Sequence, residues 1–83
     1  MNRMALFEKA LEKTEIALEK SPFMFPLKSV ITQLEYLIQV EKGLADDGRI
    51  DTIDIGQITG RDIENFDEEL ANLLCEVFHE IRK

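Results

Sequence analysis

Two prolines, Pro22 and Pro26, divide the first half of the chain into two helical segments. The residues before them are apolar at every third or fourth position, which is the spacing of one face of an amphipathic helix over residues 2–20. Proline ends a helix because it lacks an amide hydrogen and its ring clashes with the preceding turn. Pro26 suits the first position of a second helix, where no amide hydrogen is needed. The chain is therefore expected to turn between residues 20 and 26.

The second helix is predicted to end at Gly43, since glycine readily takes the left-handed conformation that closes many helices. Its apolar stripe consists of Leu27, Val30, Ile31, Leu34, Leu37, Ile38 and Leu44. The two aromatic residues between the prolines, Phe23 and Phe25, are predicted to form a buried plug beneath the helix pair. An exposed recognition patch is the less favoured alternative for them.

A short third helix is predicted to start at a capping box, Asp54-x-x-Gln57, and to run to about residue 65. Two glycines, Gly56 and Gly60, lie within it. Because glycine costs about 1 kcal/mol in a helix interior relative to alanine, the pair predicts a close approach to a neighbouring helix.

A fourth helix is predicted to begin after Asp67, an N-cap residue, with Glu68 and Glu69 in the first turn, where the helix dipole favours negative charge. Its apolar stripe consists of Leu70, Leu73, Leu74, Val77, Phe78 and Ile81, and Arg82 and Lys83 close the helix. The sequence therefore predicts an all-α fold. It is a compact bundle of four helices, two long and antiparallel, one short and one C-terminal, in a single domain over residues 1–83.

Cysteine content and hydropathy indicate the compartment. Cys75 is the only cysteine, so no intramolecular disulfide can form and a reducing compartment is expected. Charged residues interrupt the first apolar stretch, so neither a signal peptide nor a membrane span is predicted. We expect a cytoplasmic protein.

Negative charge is concentrated in residues 44–69, which contain nine acidic and two basic residues. This imbalance equals the formal net charge of −7 of the whole chain, because the remaining acids and bases cancel. A one-sided negative field repels nucleic acid and anionic membranes and attracts a basic partner. Neither nucleic acid nor membrane is therefore an expected partner, and the segregation of charge favours binding over catalysis.

Three groups of residues resemble parts of chemical sites. The loop over residues 43–54 has the glycine of a calcium-binding EF-hand, but Gly43 and Ala45 stand at two ligand positions, so a solvated acidic loop is the better interpretation. Cys75 and His79 are too few ligands for zinc, and a buried, inert thiol and a histidine at a helix C-terminus are expected instead. The carboxylates lack the apolar surroundings that general acid catalysis needs. No catalytic residue, metal or cofactor is predicted.

The motifs over residues 22–74 resemble one family of proteins. The run Gln33-Leu34-x-Tyr36 precedes the acidic loop, which is followed by Ile55-Gly56-x-Ile58-x-x-Arg61-Asp62 and by Asp67-x-Glu69-Leu70. This order is similar to that of the small helical immunity proteins of type VI secretion that neutralise an NAD(P)+ glycohydrolase effector. The first helix is similar only in its amphipathic character. Gly60 and Ile63 depart from the family pattern, which has an apolar and an aromatic residue at these positions.

The resemblance implies an antitoxin without enzymatic activity, which binds a toxin domain and covers its active site, while the chemistry of the toxin stays open. A toxin that handles a phosphate-bearing dinucleotide is expected to have a basic active-site cleft, into which an acidic face would dock. The predicted toxin-binding residues are the acids without a role at a helix N-terminus, together with one aromatic anchor: Asp46, Asp47, Asp51, Asp62, Glu64 and Tyr36.

Two other classes of function stay open at this point. The heptad-like apolar spacing of the first helix suits a self-associating structural or regulatory module, so a homodimer of the free protein is one alternative. A small metal-dependent enzyme that uses Cys75, His79 and nearby acids is the other, although this pair supplies neither a full ligand set nor an orienting group.

Overall fold

The computed structural model describes residues 2–82, except for the side chain of Asp51. Its α-helices are α1 (Arg3–Lys20), α2 (Pro26–Glu41), α3 (Ile55–Ile58) and α4 (Glu68–Ile81). A 3₁₀ turn, Ile50–Thr52, precedes α3, and a π-helical segment, Thr59–Ile63, follows it. The part of the chain that the structure describes contains no strand, so the predicted all-α fold is confirmed. The contacts predicted for Asp51 and the position predicted for Lys83 lie outside the described residues.

The two long helices run antiparallel. Arg3, the first residue of α1, places its Nε 3.3 Å from Oε1 of Glu41, the last residue of α2. The N-terminus of α1 is capped by Asn2, whose side-chain oxygen accepts a hydrogen bond of 2.7 Å from the amide of Ala5. The predicted helix over residues 2–20 is therefore confirmed to within one residue.

The apolar stripe of α1 is used inside the molecule. Its buried residues pack in the core with those of α2 and α4, and they are Leu6, Phe7, Ala10, Thr14 and Ala17. Met4, Leu11 and Leu18, which together with Phe7 give α1 its heptad-like spacing, are partly buried against the same core. The stripe that suggested self-association is thus occupied within one chain.

Both predicted ends of α2 are confirmed. Pro26 is its first residue. Gly43 has a φ of +76°, and its amide donates to the carbonyl of Val40 while the amide of Leu44 donates to that of Gln39. These two bonds are the Schellman motif that satisfies the last carbonyls of a helix. The left-handed residue turns the chain away from α2, so Leu44 is 71% exposed and its predicted place in the apolar stripe is wrong.

The turn between α1 and α2 differs from its prediction. Phe23 and Phe25 are 87% and 66% exposed, so the predicted buried plug is wrong. Of the three large apolar side chains in this turn, it is Met24 that packs against the core. This turn of five residues directs only one of its three large apolar side chains toward the core, and the two phenylalanines point outward.

The helix around Gly56 lies close to α4. A Cβ at Gly56 would lie 2.9 Å from Cδ2 of Phe78, which confirms the predicted close approach. The same prediction is wrong for Gly60, which is exposed and would carry a Cβ with no neighbour within 4 Å. The predicted N-cap of α4 is confirmed, because Asp67 Oδ1 accepts a hydrogen bond of 3.1 Å from the amide of Leu70.

Cys75 is exposed, so the prediction of a buried thiol is wrong. The buried residues of α4 are Leu70, Ala71, Leu74, Val77 and Ile81. Successive residues of an α-helix are about 100° apart around its axis, and Cys75 falls just past the edge of this buried face. His79 is also exposed, in the last turn of α4.

Candidate functional site

The loop over residues 43–54, called the acidic loop from this point, is fixed to one side of α2. The hydroxyl of Tyr36 donates a hydrogen bond of 2.7 Å to the carbonyl of Asp46 and accepts one of 3.0 Å from the amide of Arg49. Ile53, near the end of the loop, is buried in the core. A single half-buried tyrosine thus bridges two backbone groups of the loop, which sets its path beside α2.

Asp54 is held by a residue far back in the sequence. Its Oδ1 accepts a hydrogen bond of 2.6 Å from Gln33 Nε2, and its amide donates one of 3.0 Å to Gln33 Oε1. Its side chain makes no capping bond at the start of α3, so the predicted capping box with Gln57 is wrong. The carboxylate is engaged by α2 and is not available to the amides of α3.

Asp46 also has a structural role within the loop. Its Oδ1 accepts a hydrogen bond of 2.9 Å from the amide of Gly48, which is the Asx-turn geometry. Asp47, by contrast, is exposed, and its side chain makes no hydrogen bond or ion pair within residues 2–82. The side chain of Asp47 is therefore exposed to solvent and does not contribute to the conformation of the loop.

The two remaining predicted site residues lie at the other end of the acidic segment. Asp62 is half-buried, in the π-helical segment, with Oδ2 2.9 Å from Nε of the adjacent Arg61. Because Arg61 is exposed, the pair contributes at most about 1 kcal/mol to stability. Glu64 is exposed one residue after the segment. Among the described residues, no hydrogen bond or ion pair connects Asp62 or Glu64 to the acidic loop.

The structure therefore brings Tyr36, Asp46 and Asp47 together, whereas Asp62 and Glu64 make no hydrogen bond or ion pair with these three among the described residues. It also exposes large apolar residues that the sequence predicted to be buried. Leu44 is exposed at the start of the acidic loop, and Phe23 and Phe25 are exposed in the turn before α2. The position of the two phenylalanines between two prolines is the signal that could have identified them, since so short a turn cannot bury every side chain.

The rest of the described surface contains a groove lined by charged side chains. A groove of about 600 Å³ between α1 and α4 has lysines on one wall and acids on the other: Lys9, Lys13, Lys20, Asp67, Glu69 and Glu76. In the described part of the chain, no three His, Cys, Asp or Glu side chains are grouped as metal ligands would be. No described helix combines the length and the hydropathy that crossing a membrane requires.

Comparison with known proteins identifies the family. No curated protein and no solved structure matches the chain. A family model described as Tsi6, however, matches residues 2–83 and so covers almost the whole chain. Tsi6 is a family of type VI secretion immunity proteins, which are expected to bind a cognate toxin. The chain described here as a four-helix bundle with a displayed acidic loop belongs to the Tsi6 family.

Proposed function

We propose that this chain is a cytoplasmic immunity protein without enzymatic activity, which acts as one domain. It binds the catalytic domain of its cognate toxin and blocks the toxin's active site with an acidic surface. The observation that carries this proposal is the exposure of Asp47 and Glu64 on a Tsi6 family chain whose whole net charge of −7 lies in residues 44–69.

The role of the acidic surface follows from its electrostatics. Opposite charges on two proteins raise the rate of association by about 10- to 1,000-fold at low salt, and the effect falls with ionic strength. An immunity protein has to capture its toxin before the toxin acts, so a fast encounter has direct value. A basic cleft that binds a phosphate-bearing substrate would attract the same negative charge.

The predicted binding residues fall into those that also stabilise the acidic loop and those that only carry an exposed charge. Tyr36 and Asp46 hold the acidic loop in place through their hydrogen bonds. Asp47 and Glu64 carry exposed charges that the fold does not use, and they are proposed to contact the toxin directly. Asp62 shares its charge with Arg61 and is proposed to contribute less. Asp51 is proposed to act with Asp47 on the basis of its place in the sequence.

The toxin is proposed to degrade NAD(P)+. The support for this is the resemblance of the motifs from Gln33 to Leu70 to immunity proteins paired with such effectors. A titration of the immunity protein into the toxin domain, with NAD+ consumption as the readout, should reach full inhibition at one equivalent. A cognate toxin of different chemistry would overturn this part of the proposal and leave the immunity function intact.

The acidic-surface mechanism is tested with charge reversals. The variant carrying Asp47→Lys and Glu64→Lys should associate at least about 10-fold more slowly at low salt with the C-terminal domain of the toxin encoded by the neighbouring gene. Its association rate should also depend less on ionic strength. Stopped-flow measurements at several salt concentrations provide both values.

A matched control separates local from global charge. The single variant Asp47→Lys is measured beside Glu8→Lys, which changes the net charge by the same amount at an exposed residue of α1 outside the acidic segment. The control should associate at close to the wild-type rate. Equal effects of Glu8→Lys and Asp47→Lys would contradict a localised acidic surface, and absence of any complex with the wild type would overturn the immunity function itself.

A further inference from the structure

The turn over residues 21–25, called the aromatic turn from this point, exposes two large apolar side chains. Phe23 is 87% and Phe25 is 66% exposed. Apolar surface of this kind on a small soluble protein is a frequent mark of a protein-binding site. Aromatic residues are also enriched among the few side chains that dominate binding energies.

Two backbone hydrogen bonds and two prolines constrain the aromatic turn. The amide of Met24 donates a hydrogen bond of 3.0 Å to the carbonyl of Ser21, and the amide of Phe25 donates one of 3.0 Å to that of Phe23. Pro22 and Pro26 restrict the backbone on either side. Met24 anchors the turn in the core. The two phenylalanines are thus presented by an ordered backbone, which reduces the entropy lost on binding.

Phe25 shares one face of α2 with the anchors of the acidic loop. Its backbone is already helical, with φ −55° and ψ −35°, although it precedes the first residue of α2. Residues at positions 25, 29, 33 and 36 lie within about 80° of one another around a helix axis. Gln33 and Tyr36 are the residues that bind the acidic loop. At a rise of 1.5 Å per residue, Phe25 lies about 16 Å along the axis from Tyr36.

This arrangement makes the aromatic turn and the acidic loop parts of one continuous surface. A standard interface buries about 800 Å² on each partner, a patch roughly 30 Å across, and this is wide enough to include both. A partner that engages the acidic loop along α2 would therefore reach the aromatic turn as well.

The charge near the aromatic turn indicates whether its partner is a second copy of this chain or a different protein. Lys28 is the one charged residue within residues 21–34, and its Nζ lies 5.4 Å from the ring centroid of Phe25. A symmetric dimer through the aromatic turn would place Lys28 and its symmetry mate around the same apolar contact, where like charges repel. A partner with acidic side chains around an apolar pocket has the complementary chemistry.

We infer that the aromatic turn is a second toxin-binding site, in which Phe23 and Phe25 enter an apolar pocket with an acidic rim on the toxin domain. This inference rests on the proposed immunity function. It assigns the two contact regions different tasks: the acidic loop accelerates association, and the aromatic turn slows dissociation.

The test uses Phe23→Ala, Phe25→Ala and the double variant in the full chain, with the C-terminal domain of the toxin encoded by the neighbouring gene as the probe. The double variant should bind at least about 30-fold more weakly, because interface hot spots contribute at this level. The loss should appear in the dissociation rate, with the association rate and its salt dependence unchanged. Ile16→Ala is the matched control, since Ile16 is also an exposed apolar residue but lies on α1 in the groove beside α4.

The outcomes separate this inference from the proposed function. If the wild type binds the toxin domain and all three phenylalanine variants bind equally well, the aromatic turn is not a toxin-binding site and the immunity function stands. If Ile16→Ala weakens binding as much as the double variant, the specific role of the turn is also overturned.

Two other partners are tested with the same variants. A dimer in sedimentation that depends on the phenylalanines, with toxin affinity unchanged in the variants, would assign the turn to a second copy and overturn the inference. Binding to vesicles of phosphatidylglycerol and phosphatidylcholine that depends on the phenylalanines, with toxin affinity unchanged, would assign the turn to a membrane and also overturn the inference. Circular dichroism melts should show all variants folded, because the substituted side chains are exposed.

Discussion

Gln33 and Asp54 exchange two hydrogen bonds across 21 residues of sequence, from the middle of α2 to the residue before α3. The side-chain amide of Gln33 uses its nitrogen on the carboxylate and its oxygen on the backbone amide of the same residue. The pair closes the acidic loop at its far end, as Tyr36 does near its start. The position of the negative charges on this surface thus depends on two polar side chains of one helix.

Replacement of Gln33 should loosen the acidic loop. Gln33→Glu places a carboxylate beside that of Asp54, removes the amide donor and leaves the Asp54 carboxylate without its partner. We expect a loss of about 1–2 kcal/mol in the free energy of unfolding, because bonds to a charged group contribute more than neutral ones. Hydrogen exchange should accelerate at the amide of Asp54. Gln57→Ala is the control; it removes the side chain that a capping box would use, and a larger loss of stability there would restore the capping-box prediction.

Substitution of Tyr36 distinguishes a loop anchor from a direct binding residue. Tyr36→Phe keeps the ring but removes the hydroxyl that bridges Asp46 and Arg49. We expect a loss of about 1–2 kcal/mol in stability, since two hydrogen bonds are broken at a half-buried site. Toxin affinity should fall with it, because the loop is no longer held in its binding conformation. Unchanged stability and affinity in Tyr36→Phe, with affinity lost in Tyr36→Ala, would show instead that the ring itself contacts the toxin.

The two glycines around α3 should respond oppositely to alanine. In Gly56→Ala the new Cβ would lie 2.9 Å from the ring of Phe78, so the ring or the helix must move. Overpacking of this kind costs about 1–3 kcal/mol. In Gly60→Ala nothing lies within 4 Å of the new Cβ, and the residue should gain up to about 1 kcal/mol from the higher helix propensity of alanine. Chemical denaturation of both variants measures the difference; the same sign of change in both would contradict this account.

Thr59 offers a route to higher stability. Its side chain is 1% exposed, yet its Oγ1 has no hydrogen-bond partner among the described residues. Burial of an unpaired hydroxyl costs about 1–3 kcal/mol, so Thr59→Val should raise the free energy of unfolding by a part of that amount. Thr14→Val is the matched control, because the buried Thr14 hydroxyl donates a hydrogen bond of 2.7 Å to the carbonyl of Ala10. That substitution should give no gain, and an equal gain in both variants would argue against the unpaired hydroxyl as the cause.

Local signals in the sequence predicted the ends of the helices well. Pro26, Gly43 and Asp67 act through their own backbone or through neighbours three residues away, so their effects could be anticipated from the sequence. The partner of Asp54 could not, because Gln33 becomes its neighbour only after the loop has folded back on α2. The same limit explains the acids: Asp46 and Asp47 are adjacent in sequence, but only the geometry of the turn reveals that one is engaged and the other is displayed.

The exposed side chains were harder to predict than the buried ones. Periodicity places a residue on a helix face only within a helix, and Phe23 lies in a turn where no such rule applies. Cys75 lies inside α4, but about 40° around the helix axis from Ala71 at the edge of the buried face, so a small difference in angle separates core from solvent. The predicted binding acids Asp47, Asp62 and Glu64 could not be ranked from sequence, because only the folded geometry shows that Asp62 pairs with Arg61 while Asp47 and Glu64 are exposed.

The residues that fix the acidic loop to the bundle differ from the residue that exposes its negative charge, and this has an evolutionary consequence. Ile53 and the hydroxyl of Tyr36 hold the loop, whereas Asp47 projects a charge on which no packing depends. The displayed positions can therefore accumulate substitutions while the bundle keeps its stability. Related proteins can therefore keep binding a toxin whose sequence diverges, or come to bind a new toxin, through substitution of a few exposed residues on an unchanged fold.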